Sequence, residues 1–344
     1  MCKKLLVLAI GLLSGLSFTV NAEEPATKLD NNPPKLSLQR CAELFPNMEQ
    51  KVQQEVREEK IERLALVIGN QAYEGNPEDP TDRRWARLGK TETDAAAMKT
   101  EFSQHDFHVL QKNNVEKKDL DRLVCKMGFI LKHSPVKTAA FYYSGHGLQN
   151  VIVPKDMETT KANDPKAFSV DNIIEVMNDS HKQNPFVREG SIERNHIVLL
   201  DSCRNGGNGK GGKGVKPMAG RNGLVGDKEA SGGVLTSNRP TNLIVSYAAA
   251  PDQSAYEDPN TPHSFYTHAL LNHLFKPSIS VKTALDEVRD SVYNDTHSFI
   301  VERQKDPQTA AEFKNSQPQQ ISNDDAVRDF YLAGQQELKP TITN

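Results

Sequence analysis

Polar and apolar positions in this 344-residue chain alternate between two rhythms. Short unbroken apolar runs at 64–68, 107–110, 137–143, 197–200 and 243–247 suit strands covered on both faces, as in a parallel sheet. Between them, apolar residues recur at three- and four-residue steps. Ala97, Met98 and Phe102 mark a helix starting near 93, and Leu120, Leu123, Val124, Met127 and Leu131 mark the next. Val281, Ala284, Leu285, Val288 and Val292 mark a helix over 280–292, and shorter helices are expected at 171–177 and 264–275. This alternation predicts a single α/β domain over 62–335. Its core is a mostly parallel sheet of about six strands with helices on both faces, and Phe330, Tyr331 and Leu332 supply a last strand or short helix at the edge.

Punctuation sets the boundaries. Asn113 with Glu116 reads as a capping box for the Leu120 helix, and Asn47 with Gln50 opens a helix striped by Met48, Val52 and Val56. Residues 23 to about 46 are rich in Pro, Asn and Lys without an apolar period, so 23–61 reads as a linker plus one helix packed on the domain, with a pro-segment as the alternative. Residues 74–87 form a charged loop with the only tryptophan, Trp85. Residues 155–195 read as a polar excursion over the rim, 302–323 as a Gln- and Pro-rich loop, and 336–344 as a tail. In 206–233 glycines alternate with Lys210, Lys213, Lys216 and Arg221, a composition that cannot bury a core and predicts a flexible linker inside the domain.

Residues 1–22 have the form of a cleavable signal peptide: Lys3 and Lys4, an apolar stretch from Leu5 to about Val20, and small residues ending at Ala22. Gly11, Ser14 and Gly15 interrupt the stretch, which is short of the roughly 20 residues a span needs. A periplasmic or secreted protein with no stable membrane span after cleavage is therefore expected. The formal net charge of −3 argues against a nucleic-acid partner, and no feature specifies an oligomer. Cys2 leaves with the signal, and Cys41, Cys125 and Cys203 remain. An odd count in an exported chain suggests one pair and one free thiol. Cys203 is the natural free thiol. Cys41 and Cys125 are then either a disulfide or two buried thiols, since Cys125 lies near the apolar side of a helix.

The chemistry collects where two strands end. The 197–200 run leads into Asp201-Ser202-Cys203, and the 137–143 run leads into Ser144-Gly145-His146-Gly147. Ligands of open α/β sheets bind at the carboxyl ends of strands, so parallel neighbours would bring Cys203 and His146 to one rim. Their separation, roughly 50–60 residues, is near that expected between the His and Cys of caspases. A thiol with an ordinary pKa near roughly 8.5 needs a neighbouring cation or base, which His146 could supply before protonating a departing amine. His105, His108 and His268 have no such setting, and no zinc-type ligand spacing appears.

YYSGHG at 142–147 and LLDSCRNGG at 199–207 resemble the His and Cys boxes of caspase-like cysteine peptidases, specifically the metacaspase and bacterial caspase-homologue branch. ALVIGNQAY at 65–73, LGKTETDAAAM at 88–98, IVSYAAAPDQSA at 244–255 and HSFYTHALL at 263–271 follow the family's order. The resemblance implies the caspase-like three-layer fold and a Cys203–His146 dyad with an oxyanion hole from the amides of Gly147 and Cys203. It also implies a pocket for the residue before the cleaved bond, lined by Asp94, Asp201, Ser144 and Thr91. Two carboxylates there favour Arg or Lys. Lys90, in a Gly89-Lys90 pair where the family has Arg-Gly, departs from the pattern and could partly neutralise the pocket, and Asp94 has the alternative role of a helix-start acid. Arg221, in a family-like Arg-x-Gly-Leu context, is the candidate for self-processing.

These readings predict an exported cysteine endopeptidase acting on peptides or proteins through a thioester, and no third triad member is evident. The alternatives are a catalytically silent caspase-like module that binds peptides or partners, and thiol-dependent amide chemistry such as ligation. No cofactor is called for. Calcium activation is implied by resemblance alone, because no acidic loop of the EF-hand type is present.

Overall fold

The computed structural model describes residues 35–333 apart from 76–83, 160, 162, 205–241, 252, 315, 317, 321 and 327–329. The proposed signal peptide, the flexible 206–233 linker with Arg221, and the tail lie outside the described residues. The elements begin with α1 (Leu38–Leu44), α2 (Met48–Glu58), β1 (Arg63–Gly69), α3 (Thr91–Gln104), β2 (His108–Asn113) and α4 (Lys117–His133). There follow β3 (Thr138–Ser144), β4 (Gly147–Leu148), β5 (Val151–Ile152), β6 (Phe168–Ser169), α5 (Val170–Gln183), α6 (Pro185–Arg188) and β7 (Asn195–Asp201). The last are β8 (Leu243–Tyr247), α7 (Phe265–His273), α8 (Val281–Lys305), α9 (Ala310–Phe313) and β9 (Ser322–Ala326).

The central sheet runs β2-β1-β3-β7-β8-β9, parallel through β8, with β9 antiparallel at the edge. Side chains alternate across it. Ala65, Val67, Tyr142, Ile197 and Leu199 pack with Met98, Phe102, Leu270 and Val288 of α3, α7 and α8. Leu64, Leu66, Phe141, Val198 and Leu200 pack with Val124, Phe129, Ile173 and Met177 of α4 and α5 and with Leu38 and Val52 of the first two helices. The long apolar runs follow from this arrangement, since both faces of each inner strand are buried. A second sheet, β4-β5-β6, is a short antiparallel meander beyond the His146 turn.

Several sequence expectations need correction. The stretch read as linker contains α1: Ser37 Oγ accepts from the Arg40 amide, and buried Leu38 and Cys41 dock it. Cys41 is disulfide-bonded to Cys125 of α4, resolving the alternatives left open for this pair. Asn47 sits at the N-cap of α2 in a left-handed conformation without a side-chain capping bond, and α4 is preceded by Glu116, also without one. The 155–195 excursion holds α5, whose Val170, Ile173, Val176 and Met177 are core. The helix expected over 280–292 continues to Lys305, because Thr296, Phe299 and Ile300 extend its buried face. The edge strand is β9, inside the stretch read as loop, whereas Phe330 lies outside any strand or helix and accepts the Val281 amide through its carbonyl.

Candidate active site

Three neighbouring strands end in one row. Gly69 of β1 pairs in register with Ser144 of β3, and Ser144 with Asp201 of β7. His146 and Cys203 each lie two residues past the paired Ser144 and Asp201. The Gly145 amide donates to the Asp201 carbonyl at 3.2 Å, continuing the contact into the turns. Glycine is required there by packing: a Cβ on Gly147 would stand 2.5 Å from Ser202 Oγ and 2.7 Å from the Cys203 carbonyl oxygen, and one on Gly145 would stand 2.3 Å from Tyr143 Oη. The parallel pairing expected from the two apolar runs thus brings the His turn against the Cys turn.

Both reacting side chains are covered, at 1 % exposure for His146 and 2 % for Cys203, so the expectation of an open rim is corrected. The His146 imidazole packs against the rings of Tyr73 (4.6 Å between centroids) and Trp85 (4.9 Å). Its Nε2 lies 2.7 Å from the Ala86 carbonyl oxygen, which can only accept. This bond places a proton on Nε2 and leaves Nδ1 as the basic nitrogen of a neutral ring. Ala86 thus orients the imidazole, a role sequence reasoning missed because a backbone carbonyl has no residue-type signature. The Cys203 thiol is the one outside a disulfide among the described residues. Its Sγ accepts from the Ala255 amide at 3.4 Å. Burial, together with the charges of Asp201 and Glu257, pushes the thiol up to about 12.

Beside Cys203 lies a buried acidic pocket. Thr91, Asp94, Ser144 and Asp201 are all fully buried. Asp94 Oδ2 accepts from Ser144 Oγ at 3.3 Å, and its Oδ1 accepts from the Ser264 amide at 3.3 Å and lies 3.0 Å from His263 Nδ1. These bonds to two other elements make it more than a helix-start acid. Asp201 Oδ2 accepts from Ser264 Oγ and Thr267 Oγ1, both at 2.5 Å, leaving Oδ1 buried without a hydrogen-bond partner. Thr91 Oγ1 is also buried and unpartnered. Burial, and for Asp201 the nearby Asp94, raises both aspartates to about 7. Lys90 does not ion-pair with Asp94; its Nζ donates to the carbonyls of Asp258 and Thr261, pinning the 258–263 turn.

Sequence reasoning missed Glu257, His263, Ser264 and Thr267 as pocket groups. Ser264 had a local signal, since it is the N-cap of α7 and accepts from the Thr267 amide at 2.9 Å. Glu257 faces Ser264 across an isolated antiparallel bridge, a contact no local pattern announces. Among the described residues no cluster of His, Cys, Asp and Glu is placed to hold a metal ion, and no helix is long and apolar enough to cross a membrane.

Known proteins extend this picture. "Caspase a" of Danio rerio is 24% identical over 192 residues, covering 54% of this chain and 46% of the relative, so the match spans about half of that relative's length. The crystal structure of Caspase-1 from Spodoptera frugiperda superposes with a TM-score of 0.53 at 12% identity, covering 81% of this chain and 92% of that one, which shows a common fold. The caspase-domain family of cysteine peptidases matches residues 62–331 by its sequence model, and the chain belongs to that family.

Proposed function

We propose that this protein is an exported cysteine endopeptidase of the metacaspase-like branch, cleaving peptide bonds after Arg or Lys. The observation that carries the reading is the in-register ending of β3 and β7 at Ser144 and Asp201, with Gly147 packed against Cys203. Cys203 Sγ attacks the scissile carbonyl carbon as its proton passes to His146, and the amides of Gly147 and Cys203 stabilise the resulting oxyanion. His146 then protonates the leaving amine as the C–N bond breaks, leaving a thioester on Cys203. Water, deprotonated by His146, hydrolyses the thioester and restores the thiol. The buried acids Asp94 and Asp201, with Ser144 and Thr91, support recognition of a cationic side chain.

Because both reacting groups are covered, the described state is a resting one, and peptide entry requires the segments around Trp85 and Ala255 to separate. Arg221 is the proposed self-cleavage site, read out as a new amino terminus at Asn222 in wild type and its absence from Cys203→Ala. The enzymatic reading is tested with matched fluorogenic amides bearing Arg, Lys, Asp or norleucine. Hydrolysis of the Arg and Lys amides that disappears in Cys203→Ala is expected. Hydrolysis after Asp instead would refute the specificity, and none after any residue would favour a silent binding module.

A further inference from the structure

The pocket's acids differ in what they have left to offer a ligand. Asp94 is engaged through both oxygens by Ser144, His263 and the Ser264 amide. Asp201 has one oxygen held and Oδ1 open, in a residue with no exposed surface. A third acid completes the set. Ala255, whose amide bonds Cys203 Sγ, is followed by Tyr256 and Glu257, and Glu257 bridges to Ser264, the residue that binds both aspartates. Tyr256 turns the other way into an aromatic cluster with Phe265, Phe299 and Phe313, and its amide is fixed by buried Gln319 at 2.7 Å. Glu257 Oε1 is buried with no hydrogen-bond partner, although Asp94 and Asp201 act on its charge from nearby and burial pushes it up to about 8.

Three carboxylates gathered next to the nucleophile, two with an unpartnered buried oxygen, are costly unless a cation with several donors completes them. Lys90, the nearest lysine, has its ammonium directed to backbone carbonyls instead. We infer that Glu257 is a specificity-determining residue of this pocket, sharing a substrate guanidinium with Asp201, while Asp94 is a positioning residue that holds the His263–Ser264 corner. The planar fork of a guanidinium reaches two carboxylates at once, whereas an ammonium is a point charge, so the arrangement selects Arg over Lys. This assignment rests on the basic-residue reading of the site.

The test compares kcat and KM for matched peptide amides with Arg, Lys or norleucine before the cleaved bond, in wild type, Glu257→Gln, Glu257→Asp and Asp94→Asn. Glu257→Gln should lower the Arg-to-norleucine ratio of kcat/KM about tenfold or more, chiefly through KM, and narrow the preference for Arg over Lys. Glu257→Asp should recover part of that ratio. Asp94→Asn should reduce turnover of Arg and norleucine substrates together, leaving their ratio within about threefold of wild type. An unchanged ratio in Glu257→Gln overturns the role of Glu257, and a collapsed ratio in Asp94→Asn overturns the division of labour. A wild type with no preference for basic residues refutes the underlying specificity instead. Agmatine titrated calorimetrically into Cys203→Ala, with and without Glu257→Gln, gives a second readout independent of turnover: weaker binding with Glu257→Gln is expected, and equal binding overturns the proposal.

Discussion

Gly147 and Cys203 pack so closely that a single added methyl at 147 would stand 2.7 Å from the Cys203 carbonyl oxygen. Gly147→Ala must therefore push the two turns apart. Misplacing reacting groups by about 1 Å can cost on the order of 100-fold in rate, and a loss of that size in kcat/KM is expected, with the circular dichroism spectrum retained. Activity within about twofold of wild type would mean that the turns tolerate separation.

Cys203 predicts an unusual alkylation profile. Only thiolate reacts, and burial followed by the charges of Asp201 and Glu257 holds the thiol near about 12. The rate of iodoacetamide labelling should keep rising with pH beyond the range where an ordinary cysteine levels off. Agmatine should move the curve toward lower pH by offsetting the two acids, without abolishing the effect of burial. A plateau below pH of about 8 in the free protein would contradict this account.

The Cys41–Cys125 bridge closes a loop with a sequence separation of 84, which restricts the unfolded chain by ~4 kcal/mol in the chain-entropy picture. Cys41→Ser with Cys125→Ser should unfold at lower urea by a comparable amount, while peptidase activity under native conditions is kept, because the bridge ties α1 to α4 away from the turns. Unchanged stability would show that packing of Leu38 and Val52 alone holds the amino-terminal helices.

His196 is fully buried with neither ring nitrogen hydrogen-bonded. Burial, Arg194 and His181 hold it well below the usual range. The unfolded chain therefore binds this proton more readily, so its contribution to stability is present above pH of about 6.5 and is lost as pH falls, by at most about 1.4 kcal/mol per pH unit. Asp94, Asp201 and Glu257, raised in the folded state, have the opposite sign over the same window. The effect must therefore be read as a difference: urea unfolding of His196→Leu between pH 7 and 5 should lose less stability than wild type. Parallel curves would contradict it.

The sheet was legible because burial on both faces leaves unbroken apolar runs, and Ser144-Gly145-His146-Gly147 and Asp201-Ser202-Cys203 follow directly from two of them. Alternation at 64–68 even separates the two cores, with Ala65 and Val67 on one face and Leu64, Leu66 and Ile68 on the other. What stayed hidden depends on tertiary contact. Helix α1 has only seven residues and is held by Cys41 and the Ser37 cap, too little for a periodic signal. The Ala86 carbonyl on His146 and the open oxygen of Glu257 arise from loops folding back over the rim. Lys90 misled because its charge, read as facing the pocket, is directed to the carbonyls of Asp258 and Thr261.

The central claim, a thioester enzyme built from Cys203 and His146 with a pocket for a basic side chain, is tested most directly by trapping the intermediate. The protein would be mixed with an arginine ester, quenched in acid within milliseconds, and digested for peptide mapping by mass spectrometry. The account predicts an arginyl adduct on Cys203 in wild type, none in Cys203→Ala, and slow accumulation in His146→Ala. An adduct on any other residue, or ester turnover unchanged in Cys203→Ala, would contradict it.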